Sequence, residues 1–155
     1  MSEAAFDAMN GKLELISFEI AEQEFCIDIN TVREIRGWTA ETPMPQTASY
    51  LRGVINLRGA VIPVVDLRNR LGLGITTPSS RHVIVVVQHE HRIAGLLVDA
   101  VQETFVVGTD QLQAPPAMDS VSELPFVDAI IPIDNRLLSR LVVHALLPAE
   151  TSLAA

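Results

Sequence analysis

Cysteine is almost absent: Cys26 stands alone in 155 residues. No intrachain disulfide can form, and nothing implies an oxidising compartment. Aromatic residues make up 5% of a chain that is 48% hydrophobic, so the core has to be built from Val, Ile and Leu. Positive charge is scarce as well. Eleven Lys and Arg face nineteen Asp and Glu, and a net charge of −8 argues against a nucleic-acid partner, which needs concentrated cations. No apolar run approaches the roughly 20 residues that cross a bilayer as a helix. Glu3, Asp7 and Glu14 occupy the start of the chain where a secretory signal would carry basic and then apolar residues. The expectation is a soluble cytoplasmic protein with one domain of substantial core, or two very small ones packed together.

Chemistry-bearing motifs are equally sparse. Gly53 and Gly59 bracket a strand instead of opening a helix, so no phosphate-binding loop is present. No nucleophile elbow occurs, and Cys26, on an alternating strand, reads as a small buried hydrophobe without a nearby base. His89-Glu90-His91 is the only dense group of metal-ligand types. Its two histidines could share one strand face, but a polar turn between strands ending near Gln88 and starting near Arg92 explains it more simply. His82 and His144 stand apart from other ligand types. Asp28, Asp66 and Asp99 each end an apolar strand, where capping and turn formation account for them. No catalytic set and no metal site are assigned.

What the chain does have is a hairpin. Residues 50–71 read as strand, tight turn and strand, with Arg58-Gly59 at the tip between Val54-Ile55-Asn56-Leu57 and Ala60-Val61-Ile62. Gly59 supplies the positive φ that such a turn needs. Asp66 suits a helix N-cap, and a short helix from Leu67 would stop at Gly72. A cation at the tip of a hairpin makes a gripping surface. Glu34 lies on a neighbouring element and could pair with Arg58, although an ordinary exposed pair would look the same. Val32, Ile29 and Gly53 fit core or interface equally.

The plan repeats. Before the hairpin, residues 13–20 alternate, with Glu14, Ile16, Phe18 and Ile20 as the better core face. Phe25, Ile27 and Ile29 mark a second strand, and Val32 opens a third. After a junction at 72–81 the pattern starts again, so that Val101-Gln102-Glu103 overlays Val32-Arg33-Glu34 and the turn Asp134-Asn135 overlays Arg58-Gly59. Leu137, Leu138, Leu141 and Val142 also recur at helical spacing, but the repeat calls for a strand to about Val142 and then a short helix. The expected architecture is mainly β: two five-stranded SH3-like barrels packed together, with short helices. A flexible tail covers 1–12, the first barrel about 13–71, the second about 82–147, and a C-terminal tail 148–155. An exchange of end strands between barrels stays open.

The run VREIRG at 32–37, followed by YLRGVINLRGAVIPVVDLRNRLG at 50–72, resembles the CheW-like domain family of bacterial chemotaxis signalling. HVIVVV from His82 and RIAGLLVDAV from Arg92 continue the likeness, which covers roughly 13–147. The resemblance implies a single CheW-like domain of two joined barrels, without cofactor or catalytic residues. It implies a standalone adaptor coupling the cytoplasmic tips of methyl-accepting chemoreceptors to the regulatory domain of the histidine kinase CheA, at membrane receptor arrays. By the same resemblance Val32 and Gly53 would meet the kinase, Glu34 and Arg58 would serve coupling, and Ile29 and Val98 would line a receptor groove between the barrels. An adaptor of a related pathway such as pilus-based motility, or a small metal-binding barrel, are the alternatives. The chain departs from the family pattern at Ala129, Ser139-Arg140 and Val142-Val143.

Overall fold

Strands form where β-branched and apolar residues cluster, and among the described residues they assemble into two five-stranded sheets. The structure, a computed structural model, describes residues 11–45, 48–115 and 126–148. The tails expected at 1–12 and 148–155 lie outside the described residues, apart from 11–12 and Pro148. In chain order the strands are β1 (Lys12–Ile20), β2 (Gln23–Asp28), β3 (Val32–Gly37), β4 (Leu51–Leu57) and β5 (Ala60–Asp66). They continue as β6 (Val83–His89), β7 (Arg92–Val98), β8 (Ala100–Gly108), β9 (Val127–Ile133) and β10 (Arg136–Leu141). Two short helices, α1 (Leu67–Arg70) and α2 (Val143–Leu146), follow β5 and β10.

One sheet runs β8-β1-β2-β10-β9 and the other β3-β6-β7-β5-β4. All ladders are antiparallel except β2–β10 and β5–β7. Each sheet has SH3-like packing without closing into a full barrel. The mainly β, two-sheet architecture agrees with the sequence reading, but the sheets do not follow the two sequence halves. β1 and β2 sit with β8, β9 and β10, while β6 and β7 sit with β3, β4 and β5. Periodicity reports which faces of a strand are buried and is silent on which strand lies beside it.

The exchange is reciprocal. Matching β1 to β6, β2 to β7, and so on to β5 and β10 turns one sheet order into the other. Arg58 (φ 53°) and Asp134 (φ 54°) occupy matching turns. Even the isolated bridges correspond, with Thr42 opposite Val54 and Gln113 opposite Ile130.

Three apolar clusters explain why β1, β2, β6 and β7 carry buried residues on both faces. Phe18, Ile27, Val85 and Leu96 meet in a central cluster between the sheets. Residues on the opposite faces of these strands point the other way: Ile84, Val86 and Leu97 fill the inside of one sheet, and Leu15 and Cys26 the inside of the other. Both faces of β1 are therefore buried, not only the one carrying Ile16, Phe18 and Ile20. Burial also pushes the Cys26 thiol up to about 12.

β10 runs as a strand to Leu141 and α2 follows, as the repeat required. Arg140, one of the departures from the family pattern, is held 3.8 Å from both Asp28 and Asp128.

Candidate interaction surface

The two motifs that stand out in the sequence meet in space. β3 and β4 are the outer strands of one sheet, and its curl brings the Arg58-Gly59 tip against β3. The tip is tight: Arg58 and Gly59 both have positive φ, and Asn56 Oδ1 accepts a hydrogen bond from Gly59 N at 2.9 Å. Sequence reading assigned that conformation to Gly59 alone. Along β3 the side chains alternate, with Val32, Glu34 and Arg36 half-buried and Arg33 and Ile35 exposed. Glu34 accepts a hydrogen bond from Arg58 Nη2, and its other oxygen lies 3.5 Å from Arg36. The Arg58 hydrogen bond is the main reason the Glu34 carboxyl titrates below its ordinary range, with the charges of Arg58, Arg36 and Arg33 adding to it.

A second, drier latch lies along the same seam. Glu41 Oε2 accepts from both Trp38 Nε1 and Arg52 Nε at 2.9 Å, and Arg52 also reaches the Thr76 carbonyl. The Glu41 side chain is only 5% exposed. Sequence reasoning missed this latch because Trp38 and Glu41 come from a turn-rich connection with no periodic pattern, although Arg52 lies on β4. It also missed the exposed apolar side chain on β3 itself, Ile35, which is 44% exposed.

The remaining expected site residues divide. Val32 and Ile29 are half-buried and rest on the central cluster, leaving part of each side chain outside. Val98 is 1% exposed, so it belongs to that cluster and offers no contact surface. Gly53 is also buried, and the backbone that approaches it belongs to the chain itself. A Cβ there would lie 2.2 Å from the Thr42 carbonyl oxygen. Gly53 thus shapes the seam from within, and its φ of +148° favours glycine for a second reason.

The other sheet carries a comparable latch. Arg136, beside the Asp134-Asn135 turn, pairs with Glu103 at 3.0 Å and Glu24 at 2.8 Å, and Glu103 is the residue that overlays Glu34. His89 and His91 flank a turn formed at Glu90, and the His89 ring packs against His144 with centroids 5.1 Å apart. Among the described residues no three His, Cys, Asp or Glu side chains are grouped as metal ligands would be.

The model of the CheW-like domain matches residues 14–151. The chain belongs to this family. It is 44% identical over 155 residues to the chemotaxis protein CheW of Rhizobium meliloti (strain 1021), covering 100% of both chains. A probable chemotaxis protein CheW of Rhizobium etli is 45% identical over the same length and coverage. The crystal structure of the scaffolding protein TtCheW from Thermoanaerobacter tengcongensis superposes with a TM-score of 0.79 at 31% identity, covering 89% of each chain. As a member of the CheW-like family, the protein is a chemotaxis adaptor of the scaffold type.

Proposed function

We propose that this adaptor couples transmembrane chemoreceptors to the histidine kinase CheA on the cytoplasmic side of the membrane, and that it catalyses no reaction itself. The observation that carries the reading is the meeting of VREIRG and NLRG at one exposed seam, through Glu34 and Arg58. Two remote motifs brought together on the outside of a rigid sheet serve recognition; inside a core they would serve only packing. Coupling needs two separate surfaces on one body, so that a movement of one partner repositions the other. Two sheets sharing a central cluster supply that body.

In this reading the kinase regulatory domain meets the β3 side at Val32, with Ile35 as an apolar neighbour. The receptor meets Ile29, where the chain crosses from β2 in one sheet to β3 in the other. Glu34 and Arg58 link the two contacts. Gly53 and Val98 act indirectly, by shaping the seam and the central cluster. Calorimetric titration tests the division with two variants whose thermal melts match the parent. Val32→Ser should weaken binding of the kinase regulatory domain at least tenfold and spare a receptor cytoplasmic fragment, and Ile29→Ser should do the reverse. Parental affinity for both partners in both variants would refute the assignment.

A further inference from the structure

Every ladder that joins one hairpin to another runs between the two halves of the chain. Within 11–71 the ladders are β1–β2 and β4–β5, and within 82–147 they are β6–β7 and β9–β10. The other four, β1–β8, β2–β10, β3–β6 and β5–β7, all cross from one half to the other. The central cluster does the same, with Phe18, Ile27 and Val65 from the first half against Val85, Leu96 and Leu146 from the second. Taken alone, each half is a pair of hairpins with open edges and one strand, β3 or β8, without a ladder, and the surface complementary to these edges is the other half.

We propose that the halves exchange between copies, so that two chains form a reciprocally swapped dimer: the first half of one copy builds both sheets with the second half of the other. The partner is a second copy of this chain, because only that half carries the matching register and apolar faces. Every ladder of the monomer is kept in such a dimer, and only the link between the halves differs.

The link is built for this. Up to Thr76 it is fastened to the first half. The Asp66 carboxylate accepts from Thr76 N at 2.9 Å and Thr76 Oγ1 at 2.6 Å, and Arg52 donates to the Thr76 carbonyl. From Val83 the chain is β6. Between them, 77–81 is folded back by bonds of its own: His82 N to Ser79 O at 3.0 Å, Ser79 N to His82 Nδ1 at 3.1 Å and Arg81 N to Ser79 Oγ at 3.2 Å. Straightening it gives up these short-range, largely exposed bonds. Monomer and swapped dimer therefore differ by little besides the entropy of association, so protein concentration during folding selects between them.

The test uses two full-length variants, Glu14→Cys and Val106→Cys. These positions face each other across the β1–β8 ladder, and both are exposed. In a monomer the two new thiols sit on separate molecules. In a swapped dimer the ladder brings them together, while the native Cys26 stays buried. Unfolding the two chains together and refolding them at high concentration should give a disulfide-linked dimer containing one of each, in a yield that rises with concentration. Removing residues 79–81 from both chains should make the dimer the main species by light scattering, since the shortened link cannot turn back. If the deleted chains fail to fold, the intact pair decides alone. Refolded material that stays monomeric, or that dimerises without a disulfide between the Glu14→Cys chain and the Val106→Cys chain, overturns the proposal.

Discussion

At the scale of single residues, Gly53 makes the sharpest prediction. Its missing Cβ is what lets the Thr42 carbonyl approach, and the Thr42–Val54 bridge depends on that approach. Gly53→Val should cost about 3 kcal/mol or more through backbone strain and collision, read as a lowered urea midpoint with an unchanged slope. An unchanged midpoint would show that the seam can open without penalty. Glu34 gives a titration instead. Because its carboxyl is held low chiefly by Arg58, the stabilisation from this pair is complete above the ordinary glutamate range and fades as the pH falls through the lowered value. In Arg58→Ala the side-chain carboxyl resonance of Glu34 should titrate at higher pH; an unmoved titration would assign the shift to other neighbours. Cys26 runs the opposite way. With its thiol raised to about 12, it should resist alkylation in the folded protein at pH 8 and react on unfolding. Its sequence reading as a small buried hydrophobe needed only the alternation of β2. The burial of Val98 and Gly53 was not legible for a related reason: apolar or small residues on a strand fit burial and interface alike, and only the neighbouring sheet tells them apart.

Among the elements, the two short helices are the most instructive pair. α1 is capped by Asp66, which also accepts two bonds from Thr76. At the matching position before α2 stands Val142, with extended backbone and no side-chain cap. Other contacts hold α2 in place. Arg70, stacked over Tyr50 and Phe126, donates to the Ala145 carbonyl, and Arg92 donates to that of Pro148. Val142→Asp should therefore add a cap and raise stability by about 1 kcal/mol, detectable as a higher thermal midpoint; a lower one would mean that the valine packs more than it costs. The Asp66 cap and the Arg58-Gly59 hairpin were readable because each rests on local residue chemistry. The strand at β10 was readable only through the repeat, since its own spacing reads as helical. Arg140 departs from the family pattern there, and Asp28 and Asp128 flank its charge.

For the whole molecule, the duplication was legible and its assembly was not. Corresponding strands and turns follow from overlaying one half on the other, from Glu34 and Glu103 to Arg58-Gly59 and Asp134-Asn135, whereas the partner of Glu103, Arg136, has no counterpart at Arg58. That each sheet takes two strands from one half and three from the other does not follow, because a strand buried on both faces reads the same beside any partner. The consequence for coupling is mechanical: the halves interlock, so the crossing at Ile29 and the Glu34–Arg58 seam belong to one body. The most direct measurement is kinase phosphorylation rate in arrays reconstituted from receptor, histidine kinase and this protein, with Arg58→Glu compared against the parent. The parent should place the kinase under receptor control, and Arg58→Glu, folded as shown by its melt, should remove most of that control. A kinase that responds to receptor ligand equally with the parent, with the variant and with no adaptor at all would contradict the coupling role.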